Sequence, residues 1–335
     1  MNPTDSQVDE QAQDSLLTQI AKLTEANRRD PDPKRERRLV KLRHEAFAEL
    51  EQGEPGPMPE ADFDAIEVRD GMATVAIENF TPGALRAGIE KTGCLLIPGV
   101  LEQSRCEQMI ESIERAFTAR DEALNTAEGT KDVAYYAPLA VDKTKYEIAR
   151  RRKWLQNAGA IWTADSPRVT FELIDVFAQS GLLDTIGTYL GQRPAVSVNK
   201  WTLRKVLPGT DGDWHQDGAF LGDDIRAMNI WVALTDCGRD APGMELVTQN
   251  LDHIVATGTE GARFDWSVSP KEVETLLGGE PPLRPAFKAG DALLFDEMSL
   301  HQTAPSEGMP NNRYAIETWC FAPGAYPGKQ VPLVL

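Results

Sequence analysis

Residues 214–218 read Trp214-His215-Gln216-Asp217-Gly218, and the fold turns on how that stretch is read. In an extended chain, side chains at i and i+2 point the same way, so His215 and Asp217 are expected to face one point with Gln216 turned away. A single His-x-Asp is a weak signal, because ordinary hydrogen-bonded pairs often produce it. His301 changes its weight. It lies 86 residues downstream, at the end of a strand–turn–strand that starts Gly290-Asp291-Ala292-Leu293-Leu294-Phe295. Two imidazoles and one carboxylate form the facial donor set of non-haem iron(II) sites, which leaves three adjacent positions open. Histidine is scarce: His44, His215, His253 and His301 are all the chain has. His253 has no partner pattern and is expected to be structural, and His44 is expected to be exposed on a helix.

Arg313, in Asn311-Asn312-Arg313-Tyr314-Ala315-Ile316, stands 12 residues after His301. Two open metal positions suit a bidentate 2-oxo acid and the third suits dioxygen. If that acid is a dicarboxylate such as 2-oxoglutarate, its far end needs a partner, and Arg offers a rigid fork that Lys lacks. Charge points the same way. Iron(II), Asp217 and a 2-oxoglutarate dianion together leave one buried negative charge, which one Arg neutralises.

Working outward, strand-like segments follow at 195–206, 227–236, 244–248, 284–287, 291–296 and 313–321, separated by Gly, Pro and Asp. Short strands with such turn signals indicate a sandwich or barrel. Upstream, a short strand at Ala65–Val68 leads to a helix that Thr81 caps and Pro82 opens. A buried strand at Cys94–Ile97, a long helix from Glu102 to Leu124 and a helix from Phe171 to Leu190 follow. Residues 125–165 are irregular and carry Tyr135, Tyr136, Trp154 and Trp162 with the run Arg150-Arg151-Arg152-Lys153, which reads as a substrate lid, with a solvated loop held by aromatic anchors as the alternative. The fold class is α+β, a helical half packed on a β-barrel.

Residues 1–55 look separate. Leu16, Leu17, Ile20 and Leu23 make a helical stripe, Asp30-Pro31-Asp32-Pro33 breaks it, and Leu39, Leu42, Ala46, Phe47 and Leu50 make a second. Eight basic and three acidic residues lie between Arg28 and Arg43, a pattern expected of a solvated helix face. Gly53-Glu54-Pro55-Gly56-Pro57 reads as a linker. The helical pair is expected to support a homodimer or to shape the site entrance.

Composition bounds the rest. Of 335 residues, 41% are hydrophobic and 26% charged, enough to bury a core without disulfide staples. The net charge of −17 argues against nucleic-acid and anionic-membrane partners. No apolar run reaches the roughly 18 residues of a membrane span. The polar, acidic start is not a secretory signal, and Cys94, Cys106, Cys237 and Cys320 form no C-x-x-C pair. A cytoplasmic protein with reduced thiols is expected.

The ordered motifs resemble the phytanoyl-CoA dioxygenase family of Fe(II)/2-oxoglutarate oxygenases. The resemblance spans roughly residues 80–322. It rests on Gly93-Cys94-Leu95-Leu96-Ile97-Pro98-Gly99-Val100-Leu101, Trp214-His215-Gln216-Asp217, Ile230-Trp231-Val232-Ala233-Leu234-Thr235-Asp236, Gly290–Phe295, His301 and Arg313. It implies a double-stranded β-helix (jelly-roll) core flanked by helices, with the N-terminal helices as an extension. The oxygenase domain would run over 63–335, its helical half 80–192 and its β core 195–322. The resemblance also implies His215, Asp217 and His301 as catalytic iron ligands, Arg313 on the far carboxylate of 2-oxoglutarate, Thr303 assisting Arg313, and Trp231 lining the cosubstrate pocket.

Three departures stand out. The family's P-G-S-H turn is replaced by Gln249-Asn250-Leu251-Asp252-His253. Trp201 and Lys205 occupy the strand where relatives place amides near the cosubstrate, which leaves the near-carboxylate contacts open. The first 55 residues lie outside the family core. A halogenating branch carries Ala or Gly in place of the carboxylate; Asp217 therefore implies oxygenation. The implied reaction hydroxylates an unactivated C–H of a small molecule using O2, with succinate and CO2 released. Desaturation, cyclisation or epimerisation at the same site, a jelly-roll metalloenzyme that does not use 2-oxoglutarate, and a binding protein that lost its chemistry are the alternatives.

Overall fold

A computed structural model describes residues 15–50, 52–146, 151–153, 155, 159–210, 212–222 and 224–335. Helices α1 (Leu16–Arg29) and α2 (Pro33–Glu45) come first, separated by the expected Asp-Pro break. Each has a side-chain cap: Ser15 accepts from Thr18 N–H and Asp32 from Arg35 N–H. Next come edge strand β1 (Glu67–Arg69) and its neighbour β2 (Met72–Thr74), helix α3 (Pro82–Thr92), strand β3 (Leu95–Ile97) and helix α4 (Gln103–Asn125). Thr81 caps α3 as its sequence indicated, and Gly93 at φ 69° ends it. The helix expected over 171–190 is two, α5 (Pro167–Gln179) and α6 (Leu182–Leu190). Gly181 at φ 77° turns the chain between them, a conformation no helix can pass through.

Strands β4 (Ala160–Trp162), β5 (Ala195–Val206), β6 (Ala227–Ala233), β8 (Ala292–Phe295), β10 (Arg313–Phe321) and β11 (Pro332–Val334) join β1–β3 in a nine-stranded sheet. Its order is β1-β2-β3-β8-β6-β10-β5-β11, with β4 also on β5. Strands β7 (Met244–Leu246) and β9 (His301–Thr303) form a second sheet, which single bridges extend to Leu283 and His215. Short helices α7 (Gly218–Leu221) and α8 (Pro270–Leu276) lie in its connections. The segments at 195–206 and 313–321 are as expected. That at 284–287 is not a strand; Phe287 only bridges Cys237. Strands β2, β4, β9 and β11 were not anticipated, and the strand expected at 65–68 is β1, which begins at Glu67 after a 3-10 turn over Phe63–Ala65. The result is a mixed α and β fold with a β-sheet core and helices.

The main sheet has two different faces. Val196, Trp201, Leu203, Ile230, Val232, Ile316 and Cys320 pack under α3–α6 in the largest core cluster. Trp231, Ala233, Leu293, Phe295, Ala315 and Trp319 face the other way, toward Met244 and Leu246 of the second sheet. Residues alternate between faces along each strand, so the space between the sheets is lined by one parity of each.

The N-terminal helices are not a detached unit. Ile20, Leu39, Leu42, Ala46 and Leu50 bury against Ala195 and Val334, with Phe171 and Tyr326 around them. The basic stretch is not simply a solvated face: Glu36, fully buried, accepts from Asn27 and Arg168, and Arg43 donates to the Val334 carbonyl at 2.9 Å. His44 is part-buried rather than exposed, its Nδ1 2.8 Å from the Pro332 carbonyl. The apolar stripe of this helical pair is thus packed on the chain's own core.

The lid reading is also corrected in part. Tyr135, Tyr136 and Trp162 are buried in the main core, and Arg152 is clamped on buried Asp165 through Nε at 2.6 Å and Nη2 at 2.8 Å. Arg150 and Trp154 lie outside the described residues. Among the described residues, no helix is long and apolar enough to cross a membrane.

Candidate metal centre

His215 and His301 exchange both backbone hydrogen bonds, at 3.0 and 3.1 Å. Such a directly opposed antiparallel pair projects its side chains to one face, and the two imidazole centroids stand 4.4 Å apart. Each ring is oriented by its own Nδ1: His215 toward the Asp213 carbonyl at 2.7 Å, His301 toward the Ser299 carbonyl at 3.0 Å. A carbonyl only accepts, so each Nδ1 carries the proton and each Nε2 lone pair is available to a metal. Burial, with His215 alongside, pushes His301 down to about 4, which keeps it neutral near pH 7.

Asp217 reaches the same point by a different route from the one expected. It is not extended: at φ −63°, ψ −28° it begins the turn into α7. Its Oδ2 stands 3.8 Å from each histidine Nε2. Ligand atoms of the three residues all lie within 4.8 Å of one another, and they are the group of this kind found among the described residues. Gln216 does turn away. It is fully buried, donates to the His253 and Met298 carbonyls at 3.0 and 2.8 Å, and accepts from Val255 N–H at 2.7 Å. The Gln249–His253 replacement turn is thereby tied to the ligand segment through a backbone carbonyl. The His253 side chain itself is exposed beside Asp252 and takes no part in the site.

Lys200, on β5, was missed. Its Nζ donates to Asp217 Oδ1 at 2.6 Å, leaving Oδ2 toward the histidines. Burial works to raise the Asp217 carboxyl, but Lys200 and the two histidines outweigh it and hold the group below its usual range. Trp201 and Lys205 are on the wrong face to approach a cosubstrate. Trp201 is fully buried in the helix-covered core, and Lys205 pairs with Glu114 on that outer side. The site-facing residues of β5 are Lys200, Thr202 and Arg204. Thr202 and Arg204 both bind Glu317 of β10, at 3.0 and 2.6 Å.

Arg313 opens β10 and is 1% exposed. Its Nη1 donates to the Gly243 and Pro242 carbonyls at 2.7 and 3.3 Å, while its buried Nε has no partner. The guanidinium lies 5.7 Å from the Trp231 ring, which is itself buried against Phe287. Burial, reinforced by Arg204, lowers Arg313 to about 10. A buried cation with an unsatisfied donor fits an anion arriving from outside the protein. Thr303 shares the His301 face of β9, two residues along, and shows no hydrogen bond to Arg313. The donor set fits iron as well: two imidazoles and one carboxylate.

The sequence model of the phytanoyl-CoA dioxygenase family matches residues 89–309. The chain belongs to this family. The matched segment contains His215, Asp217 and His301, and Arg313 lies just beyond its end. Solved structures of similar fold include EvdO2 from Micromonospora carbonacea var. aurantiaca complexed with 2-oxoglutarate, at 14% identity over 75% of this chain and 91% of that one, TM-score 0.48. The α-ketoglutarate-dependent carbocyclase SnoK from nogalamycin biosynthesis is 14% identical over 77% of this chain and 98% of that one, TM-score 0.47. The epimerase SnoN, in complex with Fe3+, α-ketoglutarate and nogalamycin RO, is 15% identical over 71% and 82%, TM-score 0.43. No curated protein matches the chain in sequence.

Proposed function

We propose that this family member is an Fe(II)/2-oxoglutarate-dependent dioxygenase that hydroxylates an unactivated C–H of a small molecule. The observation that carries the reading is the convergence of Oδ2 of Asp217 with the two Nε2 atoms, each imidazole already oriented by its Nδ1 bond. His215, Asp217 and His301 would hold the iron. Arg313, with its unpartnered Nε, would receive the far carboxylate of 2-oxoglutarate; Trp231 would wall that pocket and Thr303 would flank it. Iron, with 2-oxoglutarate and dioxygen, supplies the oxidising chemistry and releases succinate and CO2. The chain's own residues orient the donors, neutralise the dianion and keep the inner face dry.

The two facing sheets support a double-stranded β-helix reading of the core, with a catalytic unit over 63–335 and helices α1 and α2 as its brace. Because that brace's apolar stripe is buried on its own chain, light scattering is expected to give a monomer. Four buried thiols, with Cys94 pushed up to about 12 by burial, suit a cytoplasmic setting. The test is 2-oxoglutarate-dependent succinate release by the iron-loaded protein. Asp217→Ala is expected to abolish it together with iron binding by calorimetry. Retained turnover in Asp217→Ala overturns the ligand assignment, and unchanged iron spectra on anaerobic addition of 2-oxoglutarate overturn the cosubstrate assignment.

A further inference from the structure

Beside the metal centre the surface is apolar where a soluble protein's surface is ordinarily polar. Phe220 of α7 and Phe264 of the loop before α8 are 39% and 44% exposed. Trp266 joins them, stacked on Phe264 with centroids 5.0 Å apart and edge-on to Phe220 at 5.8 Å. The cluster abuts a metal ligand directly: His215 lies 6.2 Å from Phe220 and 5.8 Å from Trp266. Exposed aromatics grouped at the mouth of a polar site mark a surface kept for an apolar ligand.

One charge at this mouth is not balanced. Iron, Asp217, a 2-oxoglutarate dianion and Arg313 sum to zero. Arg204 is matched by Glu317, and Arg263, at the edge of the aromatic cluster, lies 3.8 Å from Asp213. Lys200 is the extra cation among these groups. Its Nζ spends one donor on Asp217 and stands 4.1 Å from the Phe220 ring centroid, with 27% of its side chain exposed. The ammonium therefore sits between the iron-side carboxylate and the aromatic wall, with donors left for a ligand.

We propose that the substrate is an organic anion with a ring-bearing apolar body, its anionic group held by Lys200 and its body laid on Phe220, Trp266 and Phe264. This rests on the iron and 2-oxoglutarate reading above. An anion closes the charge sum at a partly desolvated site, and the aromatic rings supply contact area without further charge. The position also places the body of the molecule beside the His215 imidazole.

The test uses protein loaded anaerobically with Fe(II) and 2-oxoglutarate, whose visible charge-transfer band reports the loaded centre. A panel of phenylacetate, 3-phenylpropionate, cinnamate and indole-3-acetate is titrated beside the matching neutral amides, and the perturbation of that band is followed. At least one carboxylate is expected to bind about tenfold or more tightly than its amide. Lys200→Met is expected to erase the preference, Lys200→Arg to keep it, and Trp266→Ala to weaken acid and amide alike. Absence of the band in the wild type refutes the cosubstrate reading itself. With the band present, this inference is overturned by equal binding of acids and amides, by no binding from the panel, by loss of the band through displacement of 2-oxoglutarate, or by a preference that survives in Lys200→Met. If Lys200→Met fails to hold iron, the acid–amide comparison in the wild type and in Lys200→Arg decides.

Discussion

Replacing Arg313 with Met separates the role proposed for this residue toward 2-oxoglutarate from what it does for the fold. In the ligand-free protein the guanidinium is 1% exposed and has two backbone carbonyls but no carboxylate hydrogen-bonded to it. Its value falls from the ordinary guanidinium range to about 10 because burial disfavours the charge. The folded state binds that proton less tightly than the unfolded chain does, so at every pH well below 10 the fold carries the full penalty, about 3 kcal/mol. Met removes the penalty and takes one donor from each of the Pro242 and Gly243 carbonyls, Gly243 keeping the Ala304 N–H at 3.2 Å, at a cost of about 1–1.5 kcal/mol each. The two effects nearly cancel, so the ligand-free variant should melt within a few degrees of wild type. Cosubstrate binding does not cancel. A lost fork of two charge-assisted hydrogen bonds, at about 1.5–3 kcal/mol each, weakens 2-oxoglutarate by at least about a hundredfold. At a concentration about 100 times the wild-type Kd, ligand stabilises wild type by about 2.7 kcal/mol and the variant by less than about 0.5 kcal/mol. Differential scanning fluorimetry with iron or an inert divalent substitute, with and without 2-oxoglutarate, reads both numbers. A variant that keeps the ligand-dependent shift, or that melts far below wild type without ligand, refutes the reasoning.

Further outcomes follow from other parts of the chain. Gly290→Ala should destabilise the protein by about 3 kcal/mol or more in urea melts, because the residue sits at φ 96° and a Cβ would lie 2.1 Å from the Leu101 carbonyl. Leu39→Ala should cost about 2–4 kcal/mol, since Leu39 is 2% exposed in the cluster that joins α2 to β5 and β11; an unchanged melt would show the helices to be loosely attached. Burial, with Asp296 beside it, raises Glu297 to about 8. The stability this gives is full below the unfolded carboxyl value and is lost as pH rises through 8, so Glu297→Gln should flatten the fall in melting temperature across that window. Gln216→Ala should loosen the 253–255 segment, read as faster amide exchange at Val255, whose N–H the side chain accepts.

Much of the site was legible because its chemistry needs particular residue types. Few histidines were present to choose from, and His215, Asp217, His301 and Arg313 are the residues the fold brings to the inner face. Local chemistry also wrote itself plainly where it is local: the Thr81–Pro82 start of α3, the Asp-Pro break between α1 and α2, and strands β5 and β10, whose limits match their sequence patterns. Other features belong to the tertiary structure. The apolar run through Gly181 reads as one helix until packing shows two. The stripe on α1 and α2 says that a face is buried, but only the placement of Ala195 and Val334 says against what. Lys200 and Arg204 were passed over in favour of Trp201 and Lys205 because β5 is covered on both faces. Its polar residues alternate at Lys200, Thr202 and Arg204, but Ser197, Asn199 and Lys205 fall on the other parity, so its sequence does not show which parity points inward. Pairing with β10, where Glu317 lies opposite Thr202, decides that, and with it which cation stands beside the metal ligand.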